Sequence, residues 1–377
     1  MEYYIDKQAG VSNHGNINQM KQLMIRAKRG EDLTIAFLGG SITQGCLASD
    51  PKLCYAARVF DWWEKTFPQA EFTYINAGIG GTTSQFGNAR VQEDVLNYAP
   101  DLVFVEFSVN DDSTEFFLET YEGLVRKILS DEKNPAVMLV HNVRYDDGGN
   151  AQVQHAKVAR HYDLPGVSMQ SSIYPQVVGG VIPNRAITED DLHPNDTGHA
   201  LVAEVITYFL QQILDETDTE LEMCIEENAQ AKLPSPITAN RYEQAVRCQN
   251  TYELVWTNGF VADHTPQDGI TDVFKNGWTA TQPGASIQFE IEGTGIAIQY
   301  RKSVKKPAPI AKVVVDGDNE RAVILDANFN EDWGDCLYID TVLYHGQNRL
   351  HHVEITLTYD VPDAKVPFYL VSVIGSN

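Results

Sequence analysis

Between residues 33 and 201 the chain alternates short, β-rich apolar runs with longer stretches whose apolar positions recur at helical spacing. The short runs predict strands at 33–38, 72–76, 102–107 and 136–141, with a weaker one at 166–169. The longer stretches predict helices at 55–66, 84–98, 116–130, 151–162 and 197–214. Runs such as Ile35-Ala36-Phe37-Leu38 and Leu102-Val103-Phe104-Val105 have no polar face, so the sheet they form must be covered on both sides. Strands alternating with helices in this way predict a three-layer α/β/α domain around a parallel sheet.

The pattern changes after about residue 216. An acidic stretch leads into Ala229-Gln230-Ala231-Lys232-Leu233-Pro234-Ser235-Pro236, whose composition is that of a linker. Strict alternation follows, as in Ile287-Gln288-Phe289-Glu290-Ile291 and Val353-Glu354-Ile355-Thr356-Leu357, punctuated by Gly, Asn and Asp. That half reads as an antiparallel β-sandwich of the jelly-roll kind. The expected division is an α/β domain over 1–225, a linker over 226–240 and the sandwich over 241–377.

With 377 residues, 43% of them hydrophobic, there is material for two packed cores. The net charge of −24 repels phosphate backbones and anionic headgroups, so neither nucleic acid nor a membrane surface is an expected partner. A neutral sugar chain is compatible with it. The opening Met-Glu-Tyr-Tyr-Ile-Asp-Lys lacks the basic and apolar regions of a secretory signal, and no run approaches the roughly 20 apolar residues of a membrane span. Five scattered cysteines (Cys46, Cys54, Cys224, Cys248, Cys336) show no paired C-x-x-C spacing. They are expected to be reduced thiols in a cytoplasmic protein, with no metal and no cofactor.

Candidate chemistry gathers where the predicted strands end, the edge at which open α/β sheets bind ligands. The first strand runs into Gly39-Gly40-Ser41-Ile42-Thr43-Gln44-Gly45, a sharp turn able to present a serine hydroxyl and its N–H; a cap on the next helix is the other role open to Ser41. The second ends in Asn76-Ala77-Gly78-Ile79-Gly80-Gly81-Thr82-Thr83 and the third in Ser108-Val109-Asn110-Asp111. Acyl transfer needs donors aimed at the oxygen that becomes negative, and glycine-turn N–H groups with an Asn amide supply them. Taken singly, Gly81 could serve only a backbone angle and Asn110 only a turn. A late segment reads Asp190-Asp191-Leu192-His193-Pro194-Asn195-Asp196-Thr197-Gly198-His199. There Asp190 can fold back on His193 and leave the other ring nitrogen to deprotonate a serine, while Asp196 is a candidate N-cap. Asp191 is the rival for Asp190. His199 is expected to pack on the following helix, and His155 and His161 to be structural or exposed. His351 and His352 point to opposite faces of a strand.

Together the four blocks resemble the SGNH, or GDSL-like, hydrolase superfamily over about residues 33–214. The resemblance implies Ser41 as nucleophile, His193 as base, Asp190 as third member of a triad, and an oxyanion hole from Ser41, Gly81 and Asn110. Two positions depart from the usual motifs: Gly-Gly-Ser-Ile stands for Gly-Asp-Ser-Leu, and Ser108 stands where Gly is frequent. An SGNH domain followed by a sandwich looks like the two-domain carbohydrate esterases that deacetylate mannan, with a carbohydrate-binding-module-like second domain. That implies an acetylated oligosaccharide as substrate, with the 2-O-acetyl of mannose as the group removed. A lipid or thioester hydrolase on the same machinery, or a sugar-binding protein with an idle esterase half, are the alternatives. Within the sandwich, Asp326-Ala327-Asn328-Phe329-Asn330-Glu331-Asp332-Trp333-Gly334-Asp335 sets aromatics among polar loop residues, and Trp333 is the candidate substrate-binding residue. Trp256, Trp278 and Trp333 could each instead belong to the sandwich core.

Overall fold

The computed structural model describes residues 3–220, 233–361 and 363–377. The chain divides into two compact units, Met1–Ala239 and Asn240–Asn377. In the first, the elements run β1 (Val11–Asn13), α1 (Asn18–Lys28), β2 (Leu33–Gly39), α2 (Ser41–Gln44), α3 (Tyr55–Thr66), β3 (Phe72–Gly78), α4 (Ser84–Asp94), β4 (Leu102–Glu106) and α5 (Glu115–Leu129). They continue with β5 (Ala136–His141), α6 (Gln152–His161), β6 (Gly166–Ser168), α7 (Met169–Ser172), α8 (Tyr174–Val178) and α9 (Asp196–Glu220).

The five predicted strands form the parallel part of one sheet, ordered β6-β5-β4-β2-β3, and β1 adds an antiparallel edge on β6. The uniformly apolar runs follow from the double cover. Ile35, Phe37, Leu102, Phe104, Met138 and Val140 share a core with α1, α3 and α9. The alternate residues Ala36, Leu38, Val103, Val105, Val137 and Leu139 are equally buried on the opposite face. Full burial of such a side chain contributes about 1.5–3 kcal/mol, so the strands that carry the site are anchored on both faces. From β2 the chain goes first to β3 on one side and then crosses to β4 on the other. The crevice beyond the ends of β2 and β4 is therefore the topological switch point at which such sheets bind ligands.

Five of these elements lie outside the sequence reading: β1, α1 and the short helices α2, α7 and α8. The predicted helix over 84–98 is interrupted: α4 ends at Asp94, and a 3₁₀ turn covers Leu96–Tyr98. Asp196 is not an N-cap. Asn195 Oδ1 accepts the N–H groups of Thr197 (3.1 Å) and Gly198 (3.2 Å), so Asn195 caps α9 and Asp196 is its first residue.

Part of the segment read as a linker is bound to the first unit. Arg126 Nη1 donates to Pro234 O at 2.8 Å, and His161 Nε2 lies 2.7 Å from Ser235 O. The Glu122 carboxylate accepts the N–H groups of Ile237 (2.7 Å) and Thr238 (2.8 Å). Residues 226–232 of that segment, and Cys224, lie outside the described residues.

The second unit contains β7 (Val246–Cys248), β8 (Val255–Asn258), β9 (Val261–Ala262), β10 (Trp278–Ala280), β11 (Ser286–Gly293), β12 (Gly295–Lys302), β13 (Ile310–Val315), β14 (Val323–Asp326), β15 (Cys336–Leu343), β16 (Arg349–Leu357) and β17 (Phe368–Ser376). Two antiparallel sheets, β15-β12-β17-β10-β9 with β7 on β17, and β14-β13-β16-β11-β8, enclose one core. The alternation in sequence is the alternation in space: Ile287, Phe289 and Ile291 point into that core, as do Val353, Ile355 and Leu357. His351 is buried and its neighbour His352 half-buried, on opposite faces of β16.

Candidate active site

At the end of β2 the chain turns through Gly40 into the single turn α2, whose first residue is Ser41. First-turn N–H groups of a helix have no acceptor within it, so the Ser41 N–H is available at the sheet edge. The residue in the N-cap position is Gly40, and the Ser41 hydroxyl is directed elsewhere: its Oγ lies 2.8 Å from His193 Nε2. A β-carbon on Gly40 would land on Asn110 Oδ1, so glycine is what lets the β2 and β4 turns meet. Asn110 Oδ1 is buried against this glycine with no hydrogen-bond partner among the described residues, and Nδ2 is the atom of the amide able to donate. Gly81 has φ of +70°, the left-handed region that favours glycine. Its loop is tied to the serine turn by the Gly80 N–H, which donates to Gln44 Oε1 at 2.7 Å.

Asp190 folds back as its spacing from His193 suggests. Its Oδ1 accepts the N–H groups of Leu192 (3.0 Å) and His193 (2.7 Å), and its Oδ2 lies 2.6 Å from His193 Nδ1. Burial works to raise the Asp190 carboxyl, but these hydrogen bonds outweigh it and hold the group below the usual carboxylate range. An ionised Asp190 fixes the His193 tautomer with its proton on Nδ1, leaving Nε2 to face the serine. Asp191 is turned away: it adopts φ of +68°, and its carboxylate pairs with Arg185 Nη1 (2.7 Å) and Nη2 (2.8 Å) and with Asn184. One residue of slip thus separates a partner of His193 from a partner of Arg185.

A family model described as "GDSL-like Lipase/Acylhydrolase family" matches residues 37–201. The solved structure of a two-domain esterase (CEX) active on acetylated mannans, co-crystallised with mannopentaose, is 60% identical, with a TM-score of 0.93 over 100% of this chain and 99% of that one. This chain belongs to the GDSL-like, or SGNH, hydrolases. A second structure of an esterase so described superposes with a TM-score of 0.95 at 59% identity, over 99% of both chains. Among more distant relatives, an acetylxylan esterase of Geobacillus stearothermophilus is 24% identical over 49% of this hydrolase and 96% of its own length. The thioesterase 1/protease 1/lysophospholipase L1 of Escherichia coli (strain K12) is 26% identical over 48% of this hydrolase and 85% of its own length.

Several residues that support the site in this hydrolase carry no sequence signal of their own. Fully buried Arg90, on α4, donates to Gly39 O (3.0 Å) and Ala77 O (2.8 Å), joining the ends of the strands that precede Ser41 and Gly81. Beneath the serine turn lies buried Glu106, whose carboxyl burial pushes up to about 7; the Ser108 N–H donates to it at 3.2 Å. The Ser108 hydroxyl is within 3.2 Å of the same carboxyl and 3.1 Å of Asn142 O, which gives the serine at this motif position its own partners. The start of α9 clasps the loop after Ser41. Asp196 accepts the N–H (2.8 Å) and hydroxyl (2.6 Å) of Ser49, and His199 bridges the Tyr55 N–H (3.2 Å) and Cys46 O (3.1 Å). Burial lowers His199 to about 4, so it acts as a neutral strut.

In the sandwich, Trp278 is core at 2% exposure, while Trp256 and Trp333 are open at 50% and 57%. Trp333 stands edge-on to Phe329, with ring centroids 4.8 Å apart, and its Nε1 donates to Glu331 Oε2 at 2.5 Å. Among the described residues no group of three His, Cys, Asp or Glu could hold a metal ion, and no helix is long and apolar enough to cross a membrane. Cys46, Cys54, Cys248 and Cys336 are unbridged.

Proposed function

We propose that this hydrolase is a serine carbohydrate esterase that removes O-acetyl groups from mannose-containing oligosaccharides, foremost the 2-O-acetyl of mannose. The observation that carries the substrate class is the full-length likeness, at 60% identity, to an esterase active on acetylated mannans. The chemistry rests on the Ser41–His193–Asp190 relay, with successive spacings of 2.8 and 2.6 Å.

Each group in the relay has a role that follows from its surroundings. His193 Nε2 takes the proton of Ser41 as Oγ attacks the acetyl carbonyl, and Asp190 stabilises the imidazolium that forms. The carbonyl oxygen, now negative, is held by the N–H groups of Ser41 and Gly81 and by Asn110 Nδ2. Collapse breaks the bond to the sugar oxygen, which leaves with the proton from His193, and the acetyl group remains on Ser41. Water, deprotonated by His193, attacks this ester; acetate departs and Ser41 recovers its proton. No cofactor enters.

Trp333 supplies a face on which a sugar ring stacks, a reading supported by its exposure outside the sandwich core. Trp333→Ala is expected to lower kcat/KM on acetylated manno-oligosaccharides roughly 5- to 30-fold, the equivalent of about 1–2 kcal/mol, and to leave p-nitrophenyl acetate unaffected. Equal losses on both substrates, with a lower Tm, would make Trp333 a stability residue. The regiochemistry is tested by proton NMR of manno-oligosaccharides carrying acetyl groups at different positions. The 2-O-acetyl resonances should disappear first, and their persistence while others vanish would remove the 2-O assignment.

A further inference from the structure

Directly behind the proposed oxyanion donors lies a buried Asp–His couple that the reaction itself does not use; burial pushes the Asp111 carboxyl up to about 8 and His155 down to about 3. Asp111 follows Asn110 in the turn after β4, where the N–H groups of Asn110 and Asp111 both donate to Phe107 O (3.1 and 2.9 Å). Its carboxyl group reaches across to the other donor loop. Oδ1 accepts the N–H of Ser84 at 2.9 Å, the first residue of α4 and three residues beyond Gly81. Oδ2 lies 3.1 Å from His155 Nε2, on α6. The His155 ring is stacked on Tyr121 of α5, with centroids 3.5 Å apart and planes within 4°. Both side chains of the pair are completely buried.

We propose that Asp111, backed by His155, is a positioning residue that fixes Asn110 and the Gly81 loop relative to one another, so that two oxyanion donors from separate strands converge on one point. The proposal rests on the reading of Asn110 and Gly81 as those donors. Burying two titratable groups is costly, and an apolar filling of the same volume avoids that cost. What an apolar filling cannot do is accept the Ser84 N–H while remaining covalently next to Asn110. Preorganised donors stabilise developing charge because they need not reorient during reaction, so a small loosening is felt in the transition state and little in substrate binding.

A double-mutant cycle distinguishes this from a role in stability alone. Asn110→Ala should lower kcat on p-nitrophenyl acetate by about 10²- to 10³-fold. Asp111→Ala should lower it by roughly 10- to 100-fold with KM little changed, whereas Asp111→Asn, which still accepts from Ser84 and can donate to His155, should recover to within about fivefold of the parent. In the Asn110→Ala background the Asp111→Ala change should cost clearly less than in the parent, since one of the two donors it brings together is already gone. A full, additive loss there, or an Asp111→Asn protein as impaired as Asp111→Ala, would overturn the proposal. If Asp111→Ala does not fold, His155→Phe replaces it in the cycle. It keeps a ring on Tyr121 and removes the nitrogen facing Asp111; an unchanged kcat, or an equal loss in both backgrounds, would likewise overturn the proposal. Full activity in Asn110→Ala alone would instead remove the oxyanion reading on which the cycle rests.

Discussion

The Ser41→Ala protein is expected to fold normally and to hydrolyse neither p-nitrophenyl acetate nor acetylated oligosaccharide, with kcat down by about 10⁴-fold or more. The side chain is a single hydroxyl with one partner, His193 Nε2 at 2.8 Å, so its removal opens little space and leaves an imidazole that is still partly open to water. It also removes the only atom on which the acyl group can be held. Any turnover left is what a polarised carbonyl and a bound water achieve without an enzyme ester. Steady-state rates on purified, folded protein are the check, and activity within tenfold of the parent would exclude Ser41 as the nucleophile.

The second large effect separates two adjacent carboxylates. Asp190→Ala should reduce kcat by about 10³- to 10⁴-fold, because His193 then loses both the partner that fixes its tautomer and the charge that stabilises its protonated form. Asp191→Ala should change kcat by less than about threefold. Its carboxylate faces Arg185 and Asn184 at the surface, where an ion pair is worth little. The reverse ranking would mean that Asp191 turns toward His193 during turnover.

What the sequence disclosed followed from how local each relationship is. Asp190 and His193 are three residues apart and meet through one turn, in which Asp190 Oδ1 takes two following N–H groups. Their spacing alone therefore carries the geometry. Ser41 and Asn110 were visible because each lies just past a strong apolar run and Gly81 because it follows a glycine turn after a β-rich run, and parallel pairing brings those strand ends to one edge. The spacing favours Asp190 but leaves its neighbour Asp191 within reach of the same histidine until the loop geometry is seen. That geometry depends on the positive φ of Asp191 and on Arg185.

Relationships that depend on packing stayed hidden. His155 was read only as structural or exposed, since nothing in a helical pattern shows that α6 sets it beneath Asp111, 44 residues away. Nothing in the sequence marks Arg90, yet its guanidinium joins two strand ends from a fully buried position. The edge strand β1 spans three residues, too short for alternation to register. In α1 the buried Met20, Leu23, Met24 and Ala27 do keep helical spacing, but they precede the run of alternating strands from which the domain was read. Trp333 could not be separated from Trp278 by sequence, because both are aromatics in a β-rich segment and only burial distinguishes them.

The most direct test of the account is acetate release, measured as kcat/KM on acetylated manno-oligosaccharides, xylo-oligosaccharides and chito-oligosaccharides beside a long-chain acyl thioester. The acetylated manno-oligosaccharides should be preferred by at least about tenfold, a difference of about 1.4 kcal/mol in transition-state binding, with activity lost in Ser41→Ala. Equal or faster turnover of the thioester or of the other sugars would contradict it.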